Sequence, residues 1–305
     1  MVNVLIRAGC FVSIIIGAII LKRVGFFKPE DFHLISKIVM KITLPAAIIS
    51  SFSGRELEPS MLLLLVFGFL MGAMLAFLGL IINKKRGPEA QSFAAINIAG
   101  CNIGNFVMPF AQGILGSTAV MAVCLFDAGN SVICLGGAYG IANSVSGEGN
   151  GFSIKTILKP LFRSVPFITY FVMTILSFAH ISLPGPVTTL AGIIGNASPF
   201  MAMLMIGIGF NLSGEKEQLG EIARYILVRF SFAICLALLA WFLLPLPVEY
   251  RQALVIAMLA PVASVAPFYT AKIGGDHGMS SAINSFSILT SIICITIAMS
   301  LVVGV

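Results

Sequence analysis

The sequence predicts an all-α membrane protein. Ten transmembrane helices form two inverted five-helix repeats, and helices four and nine are broken. Three observations carry this. Of 305 residues, 58% are hydrophobic and 10% are charged, against about 25% charged in a soluble domain. The apolar residues fall into ten runs. Two of these runs, at matching places in the two halves, are interrupted by proline and glycine beside polar side chains.

The runs cover roughly 4–21, 36–53, 61–83, 93–115, 118–143, 165–183, 187–211, 223–246, 250–271 and 279–303. Each is about long enough to cross a hydrocarbon core as a helix. The first contains Arg7 and continues into Lys22-Arg23 with no small-residue cleavage site after it. It therefore reads as a span, not as a cleaved signal. Three separators stand out: Lys84-Lys85-Arg86, the glycine-rich run from Ser146 to Gly151, and Pro184-Gly185-Pro186. The longest loop, Ser144 to Ser164, divides the chain. Residues 1–143 form the first repeat, 144–164 a cytoplasmic linker, and 165–305 the second repeat. Within the linker, Ile154 to Arg163 is expected as a short helix on the membrane surface.

Orientation follows from lysine and arginine. Loops after the odd-numbered spans hold Lys22, Arg23, Lys28, Lys84, Lys85, Arg86, Lys155, Lys159, Arg163, Lys216, Arg224 and Lys272. The other side holds Arg7, Arg55 and Arg251. The first side is expected to be cytoplasmic, which puts both termini outside. Five spans per half make the second half enter the membrane inverted, as in many secondary transporters. A net charge of +6 then reflects topology and not nucleic acid.

The fourth run holds Asn102, Gly104, Asn105 and Pro109, with Gly100 just before. Proline removes a backbone donor and clashes with the preceding turn. Glycine lets that turn open. Amides freed at mid-membrane are tolerated only where protein or a water-filled cavity satisfies them. The ninth run repeats the device with Pro261 and Pro267. When Pro109-Phe110 is set over Pro267-Phe268, Gly116 falls on Gly274. Thr43-Leu44-Pro45 and Ala197-Ser198-Pro199 are a second, weaker echo. Paired interruptions of this kind point to a transport site.

The spacing Asn102, Gly104, Pro109 resembles that of the auxin efflux carrier family, which includes plant auxin exporters and bacterial organic-acid permeases. Val107 stands where members commonly have glycine. Pro267-Phe-Tyr-Thr-Ala-Lys272, followed by Gly274-Gly-Asp276, is similar to the family's second-half run. The resemblance implies a sodium/proton-antiporter-like fold, in which the broken spans four and nine would cross at mid-membrane. Spans one, two, six and seven would be a scaffold, pairing as a homodimer through spans two and seven. The other six would be a core moving against it.

Side chains at the two interruptions are the candidate site. Asn102 and Asn105 would hold a carboxylate, or else satisfy the broken backbone. Ser264, Tyr269 and Gln112 are further substrate-binding candidates. Gly104, Pro109, Pro261 and Pro267 mark the crossover. Asp127 is the only acid deep within a span, with Asn130 on the same helical face. It is read as a proton- or ion-coupling group, or as a structural hydrogen-bond partner. Lys37 and Lys41 read as snorkelling cations or an anion funnel, and Arg229 and Arg7 as snorkelling. His180 and His277 read as loop residues. Six dispersed cysteines make no CxxC pair and no metal pattern.

The expected function is a secondary active transporter in the cell membrane. It would move a small organic anion, a carboxylate, by alternating access, without a cofactor beyond coupling to H+ or Na+. A cation antiporter or channel of similar fold is the alternative. An intramembrane protease is a distant third, because no Ser–His pair or second membrane acid accompanies Asp127.

Overall fold

Apolar runs become helices because hydrocarbon offers no water to backbone N–H and C=O groups. The computed structural model describes residues 2–55, 57–146, 154–210 and 216–302. Over these the chain is an all-α membrane protein. Seven helices are long and apolar enough to span: α1 (Val2–Arg23), α2 (Asp31–Phe52), α3 (Pro59–Ile82), α6 (Ser117–Ser146), α9 (Gly185–Gly209), α10 (Leu219–Leu243) and α13 (His277–Val302). Between them lie shorter helices. α4 (Pro88–Ile98) and α5 (Met108–Ile114) make up the fourth run. α11 (Val248–Met258) and α12 (Ala266–Lys272) make up the ninth. α8 (Val165–Phe178) is a short apolar helix.

α7 (Ile154–Leu161) is the helix expected in the linker. Ile154 and Leu158 are exposed on it. The glycine-rich run after Ser146 lies outside the described residues.

The interior is built around α6, whose residues from Ala119 to Ser131 are all buried. It packs most extensively on α3. Gly68 and Gly129 make this contact possible: a methyl group on Gly68 would overlap the Phe126 carbonyl, and one on Gly129 the Leu65 carbonyl. Small residues let two membrane helices touch backbone to backbone. The contact fixes the depth and rotation of the helix that carries Asp127. Further along, Asn97 of α4, Thr270 of α12 and Ser280 of α13 form a closed, buried hydrogen-bonded ring. The two broken segments are thereby tied to each other away from their breaks.

Three π-turns interrupt the helices, at Val39–Thr43, Ile103–Val107 and Ile133–Gly137. Each wide turn skips a regular hydrogen bond, and such turns often mark functional positions. All three contribute residues to one small cavity.

Candidate functional site

The fourth run breaks over Ala99–Asn102, before the expected position. α4 ends at Ile98, Ala99 is extended, and Gly100 has φ 67°. That left-handed conformation suits glycine. Pro109 instead occupies the second position of α5, and Pro267 the second position of α12. A proline in the first turn costs nothing, since its N–H would have no helical partner there. Pro267 therefore starts its second half-helix, whereas Pro109 follows the π-turn Ile103–Val107 inside a half-helix that begins at Ile103; in both segments the break precedes the proline.

At the break the two segments meet. Cys101 and Val262 form an isolated antiparallel bridge. The Asn102 N–H donates to the Pro261 carbonyl at 3.0 Å. Pro261 is thus the proline at the crossing. Each strand-like piece is then clamped by the following long helix. Asn130 of α6 accepts from the Cys101 N–H at 2.9 Å and donates to the Cys101 carbonyl at 2.7 Å. On α13, Ser287 accepts from the Val262 N–H at 3.0 Å and Asn284 donates to the Val262 carbonyl at 2.9 Å. Ser291 adds a bond to the Leu259 carbonyl. Every such bond satisfies a backbone group that the break would leave orphaned in hydrocarbon.

Arg229 corrects the sequence reading most sharply. It does not snorkel to the surface; it is 1% exposed. Its guanidinium donates to the carbonyls of Ile98, Ala260 (3.0 Å) and Pro261 (3.2 Å), and approaches the Cys101 sulfur at 3.5 Å. Ile98 is the last residue of α4, and Ala260 lies just past the end of α11. One cation therefore sits at the negative ends of both first half-helices. Its planar fork suits several carbonyls at once.

Asp127 serves the other polarity. Its carboxylate accepts from Asn130 Nδ2 at 3.0 Å and from the Tyr170 hydroxyl of α8 at 2.8 Å. A methyl on Gly104 would lie 3.3 Å from Asp127 Oδ2. The carboxylate thus stands beside the start of the helical stretch beginning at Ile103, whose positive end favours an anion. Asp127 is 8% exposed, and among the described residues it has no cation in ion-pair contact.

Two cavities reach the crossing, and Asn102 and Ser264 line both. The larger, about 660 Å³, runs to Lys22, His33 and His277 at the helix ends on the lysine- and arginine-rich face. Ser281, Asn284 and Ser285 of α13 add polar groups to its wall. The smaller, about 70 Å³, contains Gly104, Asn105, Asp127 and Asn130. The buried Asn105 Oδ1 has no partner among the described residues. Pro267 lines the larger cavity. Tyr269 and Gln112 line neither: the Tyr269 hydroxyl donates to the Leu135 carbonyl, and Gln112 lies beyond the crossing in α5. His277 is the exposed first residue of α13 and not a loop residue. Asp276 caps that helix through the Met279 N–H.

Residues 8–153 match the family model described as membrane transport protein. Over these residues, just under half of its length, the chain matches the membrane transport protein family, which bears out its resemblance to the auxin efflux carriers. The matched region contains the Asn102–Pro109 motif, the first break and Asp127. The protein is a membrane transporter, and the crossing is its candidate substrate site. None of the curated proteins matches the chain. What the sequence reading missed in this transporter is the bracing: Arg229, Tyr170, Asn284, Ser287 and Ser291. The available signals were an arginine inside an apolar run and the serine- and asparagine-rich face of the tenth run.

Proposed function

We propose that this transporter is a secondary active carrier of a small organic anion, a carboxylate, working by alternating access at the crossing of its fourth and ninth spans. The observation that carries the reading is the cavity from Lys22, His33 and His277 down to Asn102 and Ser264. The Lys22 ammonium at its mouth attracts an anion. Amides and hydroxyls at its base can hold a carboxylate without a fixed charge. On the opposite face, a separate cavity of about 180 Å³ near Arg55 and His180 does not include the crossing residues. Access from one face only is what one state of an alternating-access cycle requires.

The ten-span inverted repeat belongs to this proposal. Its support is the paired clamping of Cys101 by α6 and of Val262 by α13, the last helix of each half. Scaffold and core follow the family division, with a homodimer joined through spans two and seven. The face bearing Lys84, Lys85 and Arg86 is the cytoplasmic one, which places both termini outside. In a cysteine-free background, an impermeant external reagent is expected to label a cysteine at the carboxyl end and to spare one replacing Lys85. The reverse pattern would invert the assignment.

The substrate site is tested by binding. Asn102→Ala and Ser264→Ala are each expected to weaken carboxylate binding by about tenfold, as loss of one hydrogen bond to a charged group implies. Isothermal titration on folded, monodisperse protein decides it; unchanged affinity in both variants would make these side chains structural. Asp127 beside the smaller cavity keeps the cation-antiporter reading in play. Carboxylate flux in proteoliposomes, saturable and accelerated by substrate on the far side, separates the carrier from a cation antiporter and from a channel.

A further inference from the structure

We propose that the groove between α10, α11 and α13 holds one acyl chain of a glycerophospholipid, with the lipid's phosphate on Arg251. The groove is about 460 Å³ and is walled by Leu238 and Trp241, Val255 and Leu259, and Ile297 and Leu301. It lies apart from both cavities at the crossing.

Arg251, Val255 and Leu259 are spaced by four residues and share one face of α11 and its continuation. The groove thus runs about 12 Å from a cation at its rim toward the membrane interior. This is the arrangement of a phospholipid, with charge at the interface and a chain along the membrane normal. The rim cation is held in place. Arg251 Nη1 donates to the Trp241 carbonyl at 3.0 Å, and its guanidinium lies 5.1 Å over the Trp241 ring. A guanidinium has five N–H donors. Among the described residues, that carbonyl is the one acceptor it meets, and its Nε is buried without a partner. The remaining Nη donors match a phosphate, which arginine binds in a forked geometry. Trp241 marks the interfacial depth, where tryptophan concentrates. The nearby acid, Glu249, is exposed and on the opposite side of the helix.

Trp241 is the chain's single tryptophan, so its fluorescence reports this groove alone. The experiment titrates the full-length protein, in a phosphate-free detergent, with phosphatidylglycerol brominated on its chains. Diacylglycerol with the same brominated chains is the phosphate-free control. Half-quenching is expected at about fivefold lower mole fraction for the phospholipid, the ratio that about 1 kcal/mol for one interfacial cation amounts to. Arg251→Gln is expected to bring the two lipids level. Ile297→Phe narrows the groove and keeps Arg251; it is expected to reduce quenching by both lipids. Equal quenching by the two lipids in the wild type would overturn the proposal, as would a preference that survives Arg251→Gln. So would a Trp241 that neither lipid reaches in a protein that elutes as a dimer, which would assign the groove to a second copy.

Discussion

Replacing Arg229 by methionine is expected to abolish transport and to lower the stability of the protein by about 2–5 kcal/mol. The guanidinium satisfies carbonyls of Ile98 and Ala260, which have no helical N–H to accept because each lies at the end of a half-helix. Each buried group left unsatisfied costs about 1–3 kcal/mol. Methionine fills much of the volume, so cavity formation adds little. The Pro261 carbonyl keeps the Asn102 N–H, so the crossing loosens and does not vanish. The negative ends of α4 and α11 would then face each other without a cation between them. Arg229→Lys restores the charge but offers a single ammonium in place of a planar fork. It should recover part of the stability and less of the flux. Thermal unfolding in detergent and uptake into proteoliposomes give the two readouts. A methionine variant with wild-type flux would show that the crossing does not depend on this cation.

Replacing Asp127 by asparagine is expected to leave the protein folded and to remove the pH dependence that the wild-type flux is expected to show. Folding should survive because both partners of the carboxylate are adaptable. Asparagine retains an acceptor for Asn130 Nδ2, and the Tyr170 hydroxyl can turn from donor to acceptor. The carboxyl lies ten residues beyond Ser117, about 15 Å along the helix, near the middle of a ~30 Å hydrocarbon core. Its two side-chain partners are neutral, so a proton is the natural way for it to change charge. The Tyr170 bond also joins α6 to α8, which the family division assigns to core and scaffold. Under the proposed alternating access, a contact across that boundary would be remade in each cycle. Flux across a pH series for both proteins decides it. A variant profile that overlays the wild type would make Asp127 a structural charge, and Tyr170→Phe then separates loss of the bond from loss of the proton. Tyr170→Phe should keep the pH dependence and alter the rate.

The sequence by itself determined the membrane class, the positions of the apolar helices and the pair of interrupted segments. These follow from composition and from local patterns of glycine, proline and charge, which act within one helix. It also singled out Asn102, Asp127 and Asn130, because a polar group in an apolar run is conspicuous. It could not say how those groups are used. Asn130 clamps Cys101 from 29 residues away, and Arg229 reaches Ile98 across 131 residues. Partners so distant are chosen by packing, not by spacing. The same limit explains Pro109 and Pro267. Proline is a clear local signal, yet whether it breaks a helix or begins one depends on where the backbone finds acceptors, and here those come from other helices. Arg229 looked like a surface cation because its run offers no acid. Its partners are the backbone carbonyls of two broken helices, which no residue type announces and only the tertiary structure brings together.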